Sequence, residues 1–307
     1  MHRPSNEQLA QLKGFERTAF AIADTINRQP VLKTAAHAFL KTVGAGWVHY
    51  CTRHIRHVYG LEQLRNLNPD RGVLVVSNHR SFFDMYVISC VMLRETEWIK
   101  GMYFPVRSDF FYERPDGVVV NAIMAAMTMY PPVLRDSSRR TFNSYVVDFI
   151  ADQMKVPGML CGFHPEGTRN KTDDPYTLLA ASPGVGQIVH ASKPIVIPAF
   201  INGLGNNLPK QVKGNFDRTG DPITIAFGTP LDLDKFYEQP GKLRTYKYLA
   251  DHLRDEVQKL GEYERVCRER DGLPNLAPTK KDQPVTAPVE KNRKPVEQKS
   301  EEARDGE

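Results

Sequence analysis

With 307 residues, 41% of them hydrophobic and 25% charged, the chain has enough apolar material for a full core and lacks the composition of a disordered polymer. Its four cysteines stand far apart, without a C-x-x-C pair or a secretory leader, which argues against a disulfide framework and for a reducing compartment. The net charge of +5 resides in residues 1–60, where eight Lys/Arg face three acids, so the remainder of the chain sums to zero.

In chain order, residues 5–28 pattern as an amphipathic helix carrying Leu9, Leu12, Phe15, Phe20 and Ile22, broken at Arg28-Gln29-Pro30. A second amphipathic helix is expected from Val31 to Tyr59. Lys33, Lys41, Arg53 and Arg56 interrupt its apolar positions, so it offers no span long enough to cross a bilayer. Two basic amphipathic helices, the second with Trp47 and Tyr50, suit docking on an anionic membrane surface; a helical hairpin packed on its own domain is the plainer reading.

After the turn Asn68-Pro69-Asp70-Arg71-Gly72, the run Val73–Val76 reads as a buried strand, followed by a buried helix over Met85–Leu93. Trp98–Gly101 is expected to be a second strand ending in Lys100. A helix around Ala122–Met129, a strand at Pro131–Arg135 and a helix from Arg139 to Met154 follow. Strands at Gly158–Phe163, Pro194–Ile201 and Ile223–Gly228, a helix at Val185–Ser192 and a closing helical segment from Asp234 to Glu269 complete the domain. Strands alternating with helices predict an α/β fold with a mainly parallel sheet flanked by helices. Three parts are expected: docking helices over 1–60, a catalytic domain over 61–270, and a polar, disordered tail over 271–307, where seven basic and seven acidic residues in 277–307 cancel.

Two strands hand polar clusters to loops, where sheets of this kind place their sites. Ser77-Asn78-His79-Arg80-Ser81-Phe82-Phe83-Asp84 follows Val76, and His164-Pro165-Glu166-Gly167-Thr168-Arg169 follows Phe163. If Asp84 folds back from the first turn of a helix it can hold one nitrogen of His79, leaving the other to take a proton from an alcohol. A loop histidine beside a capping aspartate is the structural alternative.

The order of these pieces resembles the PlsC-type glycerolipid acyltransferase family. Asn78–Asp84 is similar to its N-H-x-x-x-x-D block, Phe163–Arg169 to its F-P-E-G-T-R block with His164 as an extra residue, Val196–Phe200 to its V-P-V-x-I block, and Val133-Leu134-Arg135 to the block that closes in an arginine. The resemblance spans roughly residues 60–230. It implies that His79 is a general base oriented by Asp84, and that Arg169 and Arg135 hold the acceptor's phosphate. It also implies that Glu166, Gly167 and Thr168 shape the acceptor loop and that Lys100 assists.

On this reading an acyl-CoA or acyl carrier protein donates the acyl group and no other cofactor is needed. The acceptor is a lysophospholipid, most simply 1-acylglycerol-3-phosphate giving phosphatidic acid, with glycerol-3-phosphate or another lysolipid as alternatives. The protein would lie on the cytoplasmic face of a membrane as a peripheral or monotopic enzyme, without binding nucleic acid. A metallohydrolase built on His79, Asp84, His164 and Glu166 is a competing class, although no H-E-x-x-H spacing supports it. A non-catalytic lipid-surface binder is a third. Phe82 and Phe83 read as core or pocket-wall residues, and Glu166 as a brace for Arg169.

Overall fold

The computed structural model describes residues 2–108 and 128–276. The chain begins with α1 (Asn6–Ala10), α2 (Phe15–Arg28), α3 (Pro30–Phe39), a π-turn (Leu40–Gly44) and α4 (Ala45–Thr52). Next come β1 (Arg56–Tyr59), α5 (Glu62–Arg65), β2 (Val73–Ser77), α6 (Asp84–Glu95), β3 (Gly101–Tyr103) and β4 (Val106–Arg107). Beyond residue 127 lie β5 (Pro132–Val133), α7 (Arg140–Gln153), β6 (Met159–Phe163), α8 (Pro183–Ser192) and β7 (Ile195–Asn202). The described chain ends with α9 (Leu208–Asp217), β8 (Ile223–Phe227), α10 (Asp234–Tyr237) and α11 (Leu243–Arg270).

Six strands form one sheet in the order β1-β8-β7-β2-β6-β3, with every neighbouring pair parallel except β7 and β8. Strand β2 is central and wholly buried, as its unbroken aliphatic run requires. Leu74 and Val76 pack on one face with Phe20, Phe142, Phe149, Leu249 and Leu253 from α2, α7 and α11. Val73 and Val75 pack on the other with Leu40, Val48, Ile88 and Met92 from the π-turn, α4 and α6. Helices α8 and α11 press together at Gly186, where a Cβ would lie 2.0 Å from the Tyr246 carbonyl oxygen. The expected α/β fold with a mainly parallel sheet is therefore the observed one.

The N-terminal region departs from the expected pair of long helices. Gly14, at φ +43°, divides the first into α1 and α2, and Ser5 closes a capping box with Gln8 on α1. The second helix stops at Thr52 instead of continuing to Tyr59. Arg56–Tyr59 forms β1, pairing in register with Ile223–Ala226. Inter-strand hydrogen bonding across 160-odd residues overrides the local helical pattern there. Four smaller features were not expected: α5, α9, β4, and the start of β3 at Gly101 rather than Trp98; β5, which pairs with β4, falls inside the strand expected at Pro131–Arg135. The helix expected around Ala122–Met129 lies mostly outside the described residues, as does the tail from residue 277.

Candidate active site

The site lies at the carboxyl ends of β2 and β6. Strand β2 delivers Asn78, whose amide substitutes for a strand's own pairing: Nδ2 donates to the Ile201 carbonyl at 2.8 Å and Oδ1 accepts from Ile201 N–H at 2.9 Å. That fixes the backbone of the next residue, His79. Asp84, at the first position of α6, folds back across residues 79–83. Its Oδ2 accepts from the backbone N–H of Arg80 at 2.6 Å and of Ser81 at 2.7 Å, and sits 3.2 Å from His79 Nδ1. A carboxylate oxygen only accepts, so Nδ1 carries the hydrogen and Nε2 presents a lone pair. The expected base and orienter are thus brought together by a loop, not by helical stacking.

Electrostatics keep the His79 imidazole uncharged. Burial, followed by the charges of Arg169 and Arg107, pushes His79 down to about 4, so the imidazole is neutral near pH 7. Burial pushes the Asp84 carboxyl up, and the N–H donors of Ser81 and Arg80 together with the Arg80 charge oppose that rise.

The second loop plays a different part from the expected one. Glu166 turns inward: Oε1 accepts from His79 N–H at 2.9 Å and Oε2 from Leu179 N–H at 2.8 Å. It is a brace, as one reading held, but for the backbone of the base and not for Arg169, and it does not face an acceptor. Asn170 N–H donates to the His79 carbonyl at 2.7 Å, so both sides of the His79 peptide are tied to this loop. Gly167 occupies φ +64°, a conformation that favours glycine. Thr168 accepts a hydrogen bond from Arg135 at 3.3 Å, which brings Arg135 to the loop. Arg169 donates to Asn206 Oδ1 at 3.2 Å, and the same oxygen accepts from Phe82 N–H at 2.9 Å. Asn206 therefore ties the two loops together.

Lys100 stands apart and is corrected. It is exposed and precedes β3, with its N–H on the Gly158 carbonyl, at the amino end of the strands, whereas the site is at their carboxyl end. Its distance from His164 is the length of β6. Sequence reasoning also missed Arg107 and Asn206, which lie in segments without a motif. Only the position of Arg107 just after an apolar run offered a signal.

A cavity of about 420 Å³ opens from His79. Met85, Phe104, Met129, Val133, Val146 and Ile188 are among its apolar walls, while Arg107, Thr168 and Arg169 share its border with His79. Phe82 also lines it, matching the expected pocket-wall role. Among the described residues no group of three or more His, Cys, Asp or Glu is arranged to hold a metal ion.

Residues 55–202 match the family model described as Acyltransferase. The chain carries an acyltransferase-family domain. All four sequence blocks fall within the matched segment, including His79, Asp84, Arg135 and Glu166–Arg169. The solved structure of the 1-acyl-sn-glycerophosphate (LPA) acyltransferase PlsC from Thermotoga maritima is similar over 82% of this chain and 97% of that one, at 16% identity and a TM-score of 0.43. No curated protein matches the sequence. The acyltransferase match begins at residue 55, where the chain enters β1, and ends with β7, so both loops and every strand of the large sheet except β8 lie inside it while α1–α4 precede it.

Proposed function

We propose that this acyltransferase moves a fatty acyl group from a thioester, acyl-CoA or acyl carrier protein, to the free hydroxyl of a lysophospholipid. The simplest acceptor is 1-acylglycerol-3-phosphate, giving phosphatidic acid. One observation carries the reading: His79, neutral and held by Asp84, borders an apolar cavity together with Arg107 and Arg169. An acyl chain suits the apolar walls, and guanidinium groups suit a phosphate.

In this scheme His79 Nε2 takes the hydroxyl proton as the acceptor oxygen attacks the thioester carbonyl carbon. The tetrahedral adduct collapses with cleavage of the C–S bond, and the imidazolium returns its proton to the departing thiolate. An ester forms, a thiol leaves, and the enzyme is unchanged, with no covalent enzyme intermediate. Radiolabelled acyl-CoA offered with a panel of lysolipids should give transfer in the wild type and a loss of about 10²- to 10⁴-fold in His79→Gln. Activity indifferent to His79 would sink the reading.

The N-terminal helices support docking on a membrane, but on different terms from those the charge count suggested. Val31, Leu32, Phe39, Val43, Trp47 and Tyr50 are exposed and recur at helical spacing, with Val31 79% and Trp47 60% accessible. Between Val31 and Tyr50 the two lysines, Lys33 and Lys41, are no more than part-exposed, and the exposed Arg53 beyond them lies over the Tyr50 ring at 5.0 Å. Lys33 turns inward instead, donating to Asn27 Oδ1 at 2.8 Å and to the Met102 carbonyl at 2.7 Å. Arg28 pairs with Asp24, and Arg56 reaches Thr52. The stripe therefore favours apolar insertion with an aromatic Trp–Tyr anchor over attraction to anionic lipid. Among the described residues no helix is long and apolar enough to cross a membrane.

A further inference from the structure

His164, the residue that departs from the family block, has its ring parallel to that of His79, with centroids 3.9 Å apart and planes within 7°. Its Nδ1 lies 3.1 Å from the Ser77 carbonyl oxygen and 3.2 Å from Ser77 Oγ. The carbonyl can only accept, so Nδ1 bears the hydrogen and Nε2 the lone pair. The two imidazoles thus share one tautomer, each anchored through Nδ1: His79 on Asp84 and His164 on the end of β2. Ser77 is fully buried within the central strand, so the anchor of His164 is rigid.

We propose that His164 is a positioning residue that sets the ring plane of His79 by stacking and keeps water from that face of the base. The proposal rests on His79 being the base of the acyl transfer. A parallel ring at contact distance covers one face of His79, and covering it lowers the dielectric around the nitrogen that receives the proton. The ring must also stay uncharged while His79 is protonated, since a second cation would be added to Arg107 and Arg169, which already oppose charge on His79. Burial and the charge of His79 both push His164 down, to about 3, in agreement with that requirement. The groups facing the pair are Asp84, Arg80, Arg107 and Arg169, with Glu166 tied up by two N–H donors.

The test separates the ring from its hydrogen bond and does not depend on turnover. In the full chain, imidazole NMR would follow the titration and tautomer of His79, its signal identified by its loss in His79→Gln. The variants are His164→Phe, which keeps a ring and loses the Ser77 contacts, His164→Gln, which keeps a donor and loses the ring, and His164→Ala. His79 in His164→Phe should titrate low and keep the Nδ1–H tautomer, as in wild type. In the Gln and Ala variants it should move up toward 6.5 with mixed tautomers. Their kcat should fall between about ten- and a hundredfold with KM little changed, while Phe retains most of it.

An unshifted His79 in both the Gln and Ala variants would overturn the proposal. So would a wild-type-like Gln beside a shifted Phe. Should Ala fail to fold, the Phe–Gln comparison decides alone. A wild type that transfers no acyl group from either donor overturns the function reading and leaves the NMR comparison standing.

Discussion

Asp84 holds three hydrogens with one oxygen, and that determines what replacing it does. In Asp84→Asn the amide can accept through its oxygen, but its NH2 competes for the same place, and His79 is free to adopt the other tautomer. Transfer should fall by about a thousandfold or more with the fold retained, since the analogous change in a histidine–aspartate pair acts through the wrong tautomer. Single-turnover transfer beside a circular-dichroism spectrum checks it; a loss under tenfold would mean that Asp84 is a loop cap only. A stability effect belongs at this scale too. His164 is pushed down to about 3 in the folded chain by burial first and then by the His79 charge. An unfolded histidine protonates near 6.5. Below that pH the unfolded state therefore takes up a proton that the folded state refuses, and stability is lost progressively as pH falls from about 6.5 to about 3. His164→Phe removes this loss. The urea midpoint of the variant relative to wild type should rise between pH 7.5 and pH 5, and a constant difference would refute it.

At the scale of elements, β6 carries both the loop and a wall of the cavity. Gly162 in this strand faces Met85 and Phe104: a Cβ there would meet Met85 Sδ at 2.4 Å and Phe104 Cε1 at 2.8 Å. Met85 is flexible, so Gly162→Ala should drive it into the cavity rather than unfold the strand. The expected outcome is a preference shifted toward shorter acyl donors, read as kcat/KM across a chain-length series. Equal loss for all lengths would place the effect on the backbone instead. The opposite case is Lys100. A strand ending in lysine was expected there, but the strand begins after it. Periodicity identifies a strand without saying which end faces the ligand, and three residues of shift carried Lys100 to the far edge of the sheet.

For the whole molecule, the stripe on α3–α4 and the dyad belong to one folded unit. Phe20 of α2 is buried in the core, and Arg56–Tyr59 is a strand of the sheet. Removing residues 1–58 would therefore damage the fold, and point changes are the better probe of docking. Val43→Glu with Trp47→Glu, at exposed positions, should release the protein from vesicles while leaving the thermal midpoint within a few degrees. Because the exposed stripe is apolar up to Arg53 at its end, binding should persist on zwitterionic vesicles and at raised salt. Binding confined to anionic vesicles at low salt would restore the electrostatic reading.

Much of this protein was legible in its residues because the deciding signals are local. The aliphatic run Val73–Val76 between turn signals reads as a strand buried on both faces, Gly167 marks a backbone turn, and the polar clusters after strands, matched to the blocks of the family they resemble, pointed to His79, Asp84 and Arg169 together. What those residues do to one another was not legible. Glu166 could face a ligand or a backbone with the same sequence, and only the approach of β6 to β2 directs it to the His79 N–H. Arg107 and Asn206 carry no motif, and chain crossings alone bring them to the base and the loops. The charges of residues 1–60 could be counted but not oriented, and packing turned Lys33 inward and left Val43 and Trp47 outside. Periodicity and turn chemistry are written residue by residue, so the sequence by itself determined most of the elements and placed His79 and Asp84 in one loop, while the class of chemistry came from the resemblance of its blocks to a known family. Register, facing and long-range hydrogen bonds depend on which segments meet, so the tertiary structure alone decided how His79 is held, which cations reach it and which apolar side chains of α3 and α4 are left exposed.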